Sequence, residues 1–254
     1  MMHRIEAAAD AAGCRPPQLI AVTKTVSPDV AADLCRLLRA LTPTPPQLGE
    51  NRADVLAAKR AAFTEREANE PRWHFIGSIQ RNKARRILER ADVLHSIDSV
   101  KLAGTVVRLA DELERVIDVF IEVNLTGEDE KHGLLPDDVR EVLNALQGSE
   151  RIRVLGLMAM GPARGLKTVT EVFRQVADLA AELTRQAPTS FHEGRCRLSM
   201  GMSGDLETAV RFGSDFVRVG SALFEGLSPS SSARPPLDTP QDFPPGPAAG
   251  QPIQ

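Results

Sequence analysis

Short apolar runs alternate along the chain with stretches whose apolar residues step by three and four. The runs are Leu19–Lys24 (LIAVTK), Gln47–Gly49, Trp73–Gly77 (WHFIG), Val93–Ile97 (VLHSI), Val116–Asn124 (VIDVFIEVN), Ile152–Met158 (IRVLGLM), Cys196–Met200 (CRLSM) and Phe216–Gly220 (FVRVG). Most are continuously apolar, the pattern of strands covered on both faces. Val169, Val172, Phe173, Val176, Leu179, Ala180 and Leu183 make one stripe, which predicts a helix over Thr168–Arg185. Leu102, Val106, Leu109 and Leu113 repeat that spacing. Eight strands alternating with helices predict an α/β chain folded as a (β/α)8 TIM barrel. A doubly wound open sheet is the alternative, but it needs a glycine-rich turn after its first strand, and TVSPD follows Lys24 instead.

The strand–helix pattern occupies residues 1–227. Ser228–Gln254 holds eight of the 18 prolines and a serine run, a composition that buries little and predicts a disordered tail. A polyproline ligand for a partner is the other reading of that segment. The chain has 254 residues, close to the ~250 of a single barrel. Its net charge of −3 lacks the basic footprint that nucleic acid requires. The start shows no apolar signal core, and no run approaches the ~18 apolar residues of a membrane span, so a cytoplasmic protein is expected. Cys14, Cys35 and Cys196 are far apart and suit small hydrophobes in a reducing compartment. His3, His95, His132 and His192 show no ligand spacing, so no metal is expected.

In a barrel, chemistry sits at the carboxyl ends of the strands. Lys24 ends the first, on the same face as Ile20 and Val22. If that face lines a desolvated mouth, burial lowers the lysine pKa and makes the amine a nucleophile toward carbonyls. Otherwise it simply reaches water. After the seventh strand, Gly201 and Gly204 bare the backbone around Ser203, which is placed to cap a helix opened by Asp205 and Glu207. Gly220 and Ser221 repeat the device after the eighth. Two such turns read either as a phosphate site or as ordinary capping. Arg218 shares a face with Gly220 and must pair with a core carboxylate such as Glu122 or with a ligand acceptor. His74 reads as a structural histidine. Asn51, after the second strand, either points at a neighbouring strand end or caps the helix from Arg52.

Taken together, AVTK (21–24), GENR (49–52), WHFIGSIQRNK (73–83), HSID (95–98), GLM (156–158), LSMGMSGDLETAV (198–210) and VRVGSALFEG (217–226) closely resemble the pyridoxal phosphate homeostasis proteins. The resemblance implies a barrel like the N-terminal domain of alanine racemase that holds pyridoxal 5′-phosphate (PLP). It implies that Lys24 forms an aldimine with PLP and that Ser203, Gly220 and Ser221 contact its phosphate, with Gly204 allowing close backbone approach. It also places Arg218 at the pyridine nitrogen, Asn51 near the ring, and Ser199 and Met200 along the pocket. The chain departs from the family pattern in its short N-terminal helix, in ALTPTPPQL (40–48) before GENR, in Thr23, and in the proline-rich tail.

Catalytic PLP enzymes use a protonated ring nitrogen as an electron sink, which an arginine there disfavours. The chain also contains no tyrosine, so a two-base racemase that relies on one is excluded. With these residues, the resemblance implies a non-catalytic, monomeric PLP carrier serving vitamin B6 homeostasis, with apo-PLP enzymes as recipients; neither nucleic acid nor membrane is expected as partner. A one-base PLP racemase or lyase is the alternative, and a barrel aldolase acting on a phosphorylated sugar is a third.

Overall fold

Eight parallel strands pair in chain order and close into a barrel: β1 (Gln18–Val22), β2 (Gln47–Glu50), β3 (Arg72–Phe75), β4 (Val93–Ile97), β5 (Ile117–Glu122), β6 (Ile152–Met158), β7 (Arg197–Ser199) and β8 (Phe216–Val219). The computed structural model describes residues 1–42, 44–65, 71–128, 132–163 and 167–226; the expected tail from Ser228 lies outside the described residues. Helices α1 (Met2–Ala12), α2 (Pro28–Leu41), α3 (Ala53–Glu65), α4 (Ala84–Leu88), α5 (Val100–Glu112), α6 (Val139–Leu146), α7 (Val169–Gln186) and α8 (Leu206–Arg211) surround the strands. This is the expected TIM barrel. Among the described residues, no helix is long and apolar enough to cross a membrane.

Local chemistry sets the helix starts. Ser27 accepts a hydrogen bond from Val30 N and Pro28 opens α2. Thr168 and Glu171 form a reciprocal capping box on α7. The prolines before β2 do not dissolve it. Arg72 N donates to Pro46 O at 2.9 Å, and β2 pairs with both β1 and β3. Several strands stop short of their apolar runs, β1 at Val22 and β8 at Val219. Ladder bonds continue briefly, Thr23 N to Gly49 O at 3.0 Å and Ile76 N to Glu50 O at 2.8 Å, before the chain turns outward.

Two apolar clusters result. The larger lies between barrel and helices, and the smaller comprises Ile20, Val93, Phe120, Leu155, Met158 and Phe216. Strand alternation, with the register shift in β6 bringing Leu155 and Met158 to one face, puts the smaller cluster inside the barrel, where Phe120 meets Phe216 edge-on at 5.6 Å and stacks on His95 at 4.7 Å. Cys35 and Cys196 are buried, and burial pushes the Cys196 thiol up to about 12.

The β5–β6 register shifts after Val119, and Gly156 sits there with φ +155°, where an added Cβ would run into the backbone of Arg197. Replacing Gly156 with Ala is expected to cost about 2–4 kcal/mol, because neither the backbone conformation nor the neighbouring strand can yield cheaply. Thermal unfolding checks this: the expected fall is roughly 5–15 °C, and a fall under about 2 °C would show that β6 and β7 part without cost.

Candidate ligand site at the barrel mouth

Thr23 is fully buried just beyond β1, and its hydroxyl donates to Glu50 Oε1 at 2.5 Å. Lys59 reaches in from α3, donating to the same oxygen at 2.6 Å and to Thr23 O at 2.5 Å. Glu50 and Lys59 are both buried, and only such pairing makes an interior ammonium tolerable. Burial pushes the Lys59 pKa down, with Glu50 opposing the shift. The peptide that launches Lys24 is thereby held at its carbonyl. Lys24 itself is exposed and forms no hydrogen bond or ion pair among the described residues. Of the two readings of Lys24, the one in which it reaches water holds, because β1 ends two residues earlier and Lys24 rides on the turn.

Arg218 is buried on β8. Its Nη1 donates to Ser199 O and Ser199 Oγ, each at 2.7 Å, and its Nη2 donates to Ala159 O at 3.0 Å. The carboxylate pairing, one of the two readings, does not form: two carbonyls and a hydroxyl take its place, and Glu122 acts on Arg218 only through its field. Burial lowers the Arg218 pKa to about 10, so the guanidinium stays charged at neutral pH. Three of its five N–H groups are spent, leaving two without an acceptor among the described residues.

Two residues beyond Arg218, Gly220 closes against β1. A Cβ there would sit 3.3 Å from Val22 O, which is two residues before Lys24. The turns after β7 and β8 meet through Ser221 Oγ donating to Ser203 Oγ at 3.2 Å. Gly204 faces open space. Ser203 does not cap α8, as the pattern suggested: Asp205 holds the N-cap position and its carboxylate accepts from Met202 N. Glu207 is drawn away to Arg4, which also donates to Ser203 O at 2.9 Å. The serine hydroxyls are thus left beside one another, with the nearest carboxylates engaged elsewhere.

The other predicted residues divide. Ser199 is fully buried, and its hydroxyl accepts from Arg218 and contacts His95 Nδ1 at 3.1 Å. Asn51 is exposed, and its side chain makes no hydrogen bond among the described residues, so it does not cap α3. Gly77 packs on the Asn51 backbone so closely that a Cβ could not be accommodated. Met200 is fully buried in the larger cluster between barrel and helices, away from the interior face. A cavity of about 430 Å³, lined by Arg15, Gln18, Gln47, Arg195 and Asp215, opens at the amino ends of the strands, and none of the predicted site residues lines it.

Residues 1–229 match the alanine racemase N-terminal domain family. A pyridoxal phosphate homeostasis protein of Aquifex aeolicus is 32% identical over 231 residues, covering 88% of this chain and 94% of its own. The Pseudomonas aeruginosa protein of the same name is 34% identical over 227 residues, covering 87% and 90%. The chain belongs to this family. PipY of Synechococcus elongatus, solved with PLP bound, is a structural neighbour with a TM-score of 0.72 and 34% identity, over 88% of this chain and 100% of its own. A Clostridium difficile alanine racemase, 14% identical with a TM-score of 0.64, shares the fold.

Sequence reading missed Glu122 as a titrating group in this family member. It is buried two residues beyond Phe120 on the inward face of β5. Burial, then the nearby Asp98 charge, raises its pKa from 4.5 to about 7, with His132 and Arg218 opposing. The folded value exceeds the unfolded one, so stability is lost as pH climbs from 4.5 through about 7. Glu122→Gln is expected to stabilise by roughly 1–3 kcal/mol at pH 8 and by little at pH 5. Melting curves at the two pH values check this; an equal difference at both would contradict the assignment.

Proposed function

We propose that this chain binds PLP at the barrel mouth, through Lys24, and serves vitamin B6 homeostasis as a carrier without robust turnover. The observation that carries the reading is the grouping on β8. A buried guanidinium with two unspent N–H donors lies two residues below a glycine turn whose serine meets the serine of the β7 turn. That set suits a phosphorylated aromatic ring. The hydroxyls and bare backbone at Ser203, Gly204, Gly220 and Ser221 take the phosphate, and Arg218 takes an aromatic nitrogen lone pair. The PLP-bound neighbour supports the choice of ligand. Bound PLP supplies an electrophilic aldehyde, and we assign the exposed Lys24, two residues beyond the Val22 on which Gly220 packs, to hold it. Asn51, with its amide uncommitted, is assigned to the ring face. Ser199 supports Arg218 from beneath, and Met200 backs the turn from the core side.

Arg218 offers hydrogen bonds and a positive charge to the ring nitrogen, and both disfavour the protonation on which carbanion chemistry depends. The chain supplies no tyrosine as a second base. The exposure of Lys24 favours exchange of the cofactor, and we assign apo-PLP enzymes in the cytoplasm as recipients and a monomer as the working unit. The test is visible absorbance and borohydride reduction followed by peptide mass. The expected result is a reduced PLP adduct on Lys24, lost in Lys24→Ala, together with no Lys24-dependent α-proton exchange of amino acids in heavy water. An adduct on another lysine would overturn the site, and Lys24-dependent exchange would move the protein to the one-base racemases or lyases.

A further inference from the structure

A continuous line of buried polar groups runs through the barrel below Arg218. Gln47 Nε2 donates to Pro45 O at 3.0 Å, which turns Gln47 Oε1 toward His74 Nε2 at 2.6 Å. A carbonyl oxygen can only accept, so His74 carries its proton on Nε2. A neutral imidazole then presents a lone pair at Nδ1, where His95 Nε2 lies 2.8 Å away and must donate. His95 Nδ1 in turn accepts from the Ser199 hydroxyl at 3.1 Å, and Ser199 Oγ accepts from Arg218 Nη1 at 2.7 Å. Every bond points the same way, from the guanidinium to the Pro45 carbonyl. Both imidazoles are fully buried, and burial holds each well below the usual histidine range; for His95 the charges of Arg218 and Arg72 add to that. The opposite polarity would turn the Gln47 oxygen onto the Pro45 oxygen, so the fold selects one direction.

We infer that Gln47, His74 and His95 are positioning residues for Arg218. Their one-way donor chain commits the Ser199 hydroxyl hydrogen downward, leaves its oxygen as an acceptor, and so fixes which two N–H groups Arg218 presents at the mouth. Aligned donors polarise one another, so a change at Gln47 is felt at Ser199. What those two groups bind rests on the PLP reading above, whereas the chain's polarity does not.

The experiment has two arms. Nitrogen-15 NMR of the ligand-free protein is expected to show His74 and His95 neutral and protonated at Nε2. In Gln47→Met, which removes both the acceptor and the anchor, Nδ1–H tautomers are expected to become populated. In the second arm, Gln47→Met and His95→Gln are loaded with PLP. Their absorbance band is expected to shift and their PLP affinity to fall by about three- to tenfold, the worth of a neutral hydrogen bond, with Lys24 still the modified residue. An Nδ1–H tautomer or an imidazolium in the wild type would overturn the chain's direction. Unchanged bands and affinities in both folded variants would overturn its role in positioning. Absence of any Lys24 adduct in the wild type would instead overturn the PLP reading and leave the NMR arm to decide the chain.

Discussion

The structure turns on a positive charge kept inside a closed barrel. A guanidinium taken out of water has to recover its hydration from fixed acceptors, and Arg218 does so with Ser199 O, Ser199 Oγ and Ala159 O rather than with a carboxylate. That choice matters for function. A carboxylate partner would cancel the charge, whereas carbonyl dipoles leave it intact. The same charge helps keep His95 neutral, and it moderates the rise in the Glu122 pKa that burial and Asp98 impose. The neutral imidazoles can then act as relays with one donor and one acceptor each, which an imidazolium could not.

The second constraint is where the amine proposed to hold PLP stands. Lys59 and Glu50 hold the Thr23 carbonyl from behind, while Lys24 stays in the open. A firmly seated backbone with an accessible side chain suits a protein that both captures and releases a reactive aldehyde. Gly220, pressed against Val22, brings the β8 turn close to the chain that leads into Lys24.

Much of this architecture was legible in the sequence, because strands buried on both faces appear as continuous apolar runs. Val93–Ile97 and Ile152–Met158 coincide with observed strands, and the Thr168–Arg185 stripe becomes Val169–Gln186. The glycine–serine turns were legible too, since bare backbone is written in residue type. The interior chain was not, although it left a trace. His74 between Trp73 and Phe75, His95 within VLHSI, and Arg218 within FVRV are polar interruptions at inward positions of apolar runs. The pairing of His74 with His95 across 21 residues, and of His95 with Ser199 across 104, depends on barrel closure, which no local pattern encodes. Lys59 was hidden for a similar reason: among alanines on a helix it reads as an ordinary surface cation. Alternation alone could not choose between the two readings of Lys24, because β1 ends two residues earlier and the side chain's exposure is set by the turn.

In the proposed site, Arg218 meets the ring nitrogen of bound PLP as a donor and leaves that nitrogen unprotonated. The most direct measurement is the nitrogen-15 chemical shift of PLP labelled at the ring position and bound to the protein at neutral pH. An unprotonated, hydrogen-bonded pyridine is the expected signal, displaced in Arg218→Lys; a pyridinium signal would contradict the account.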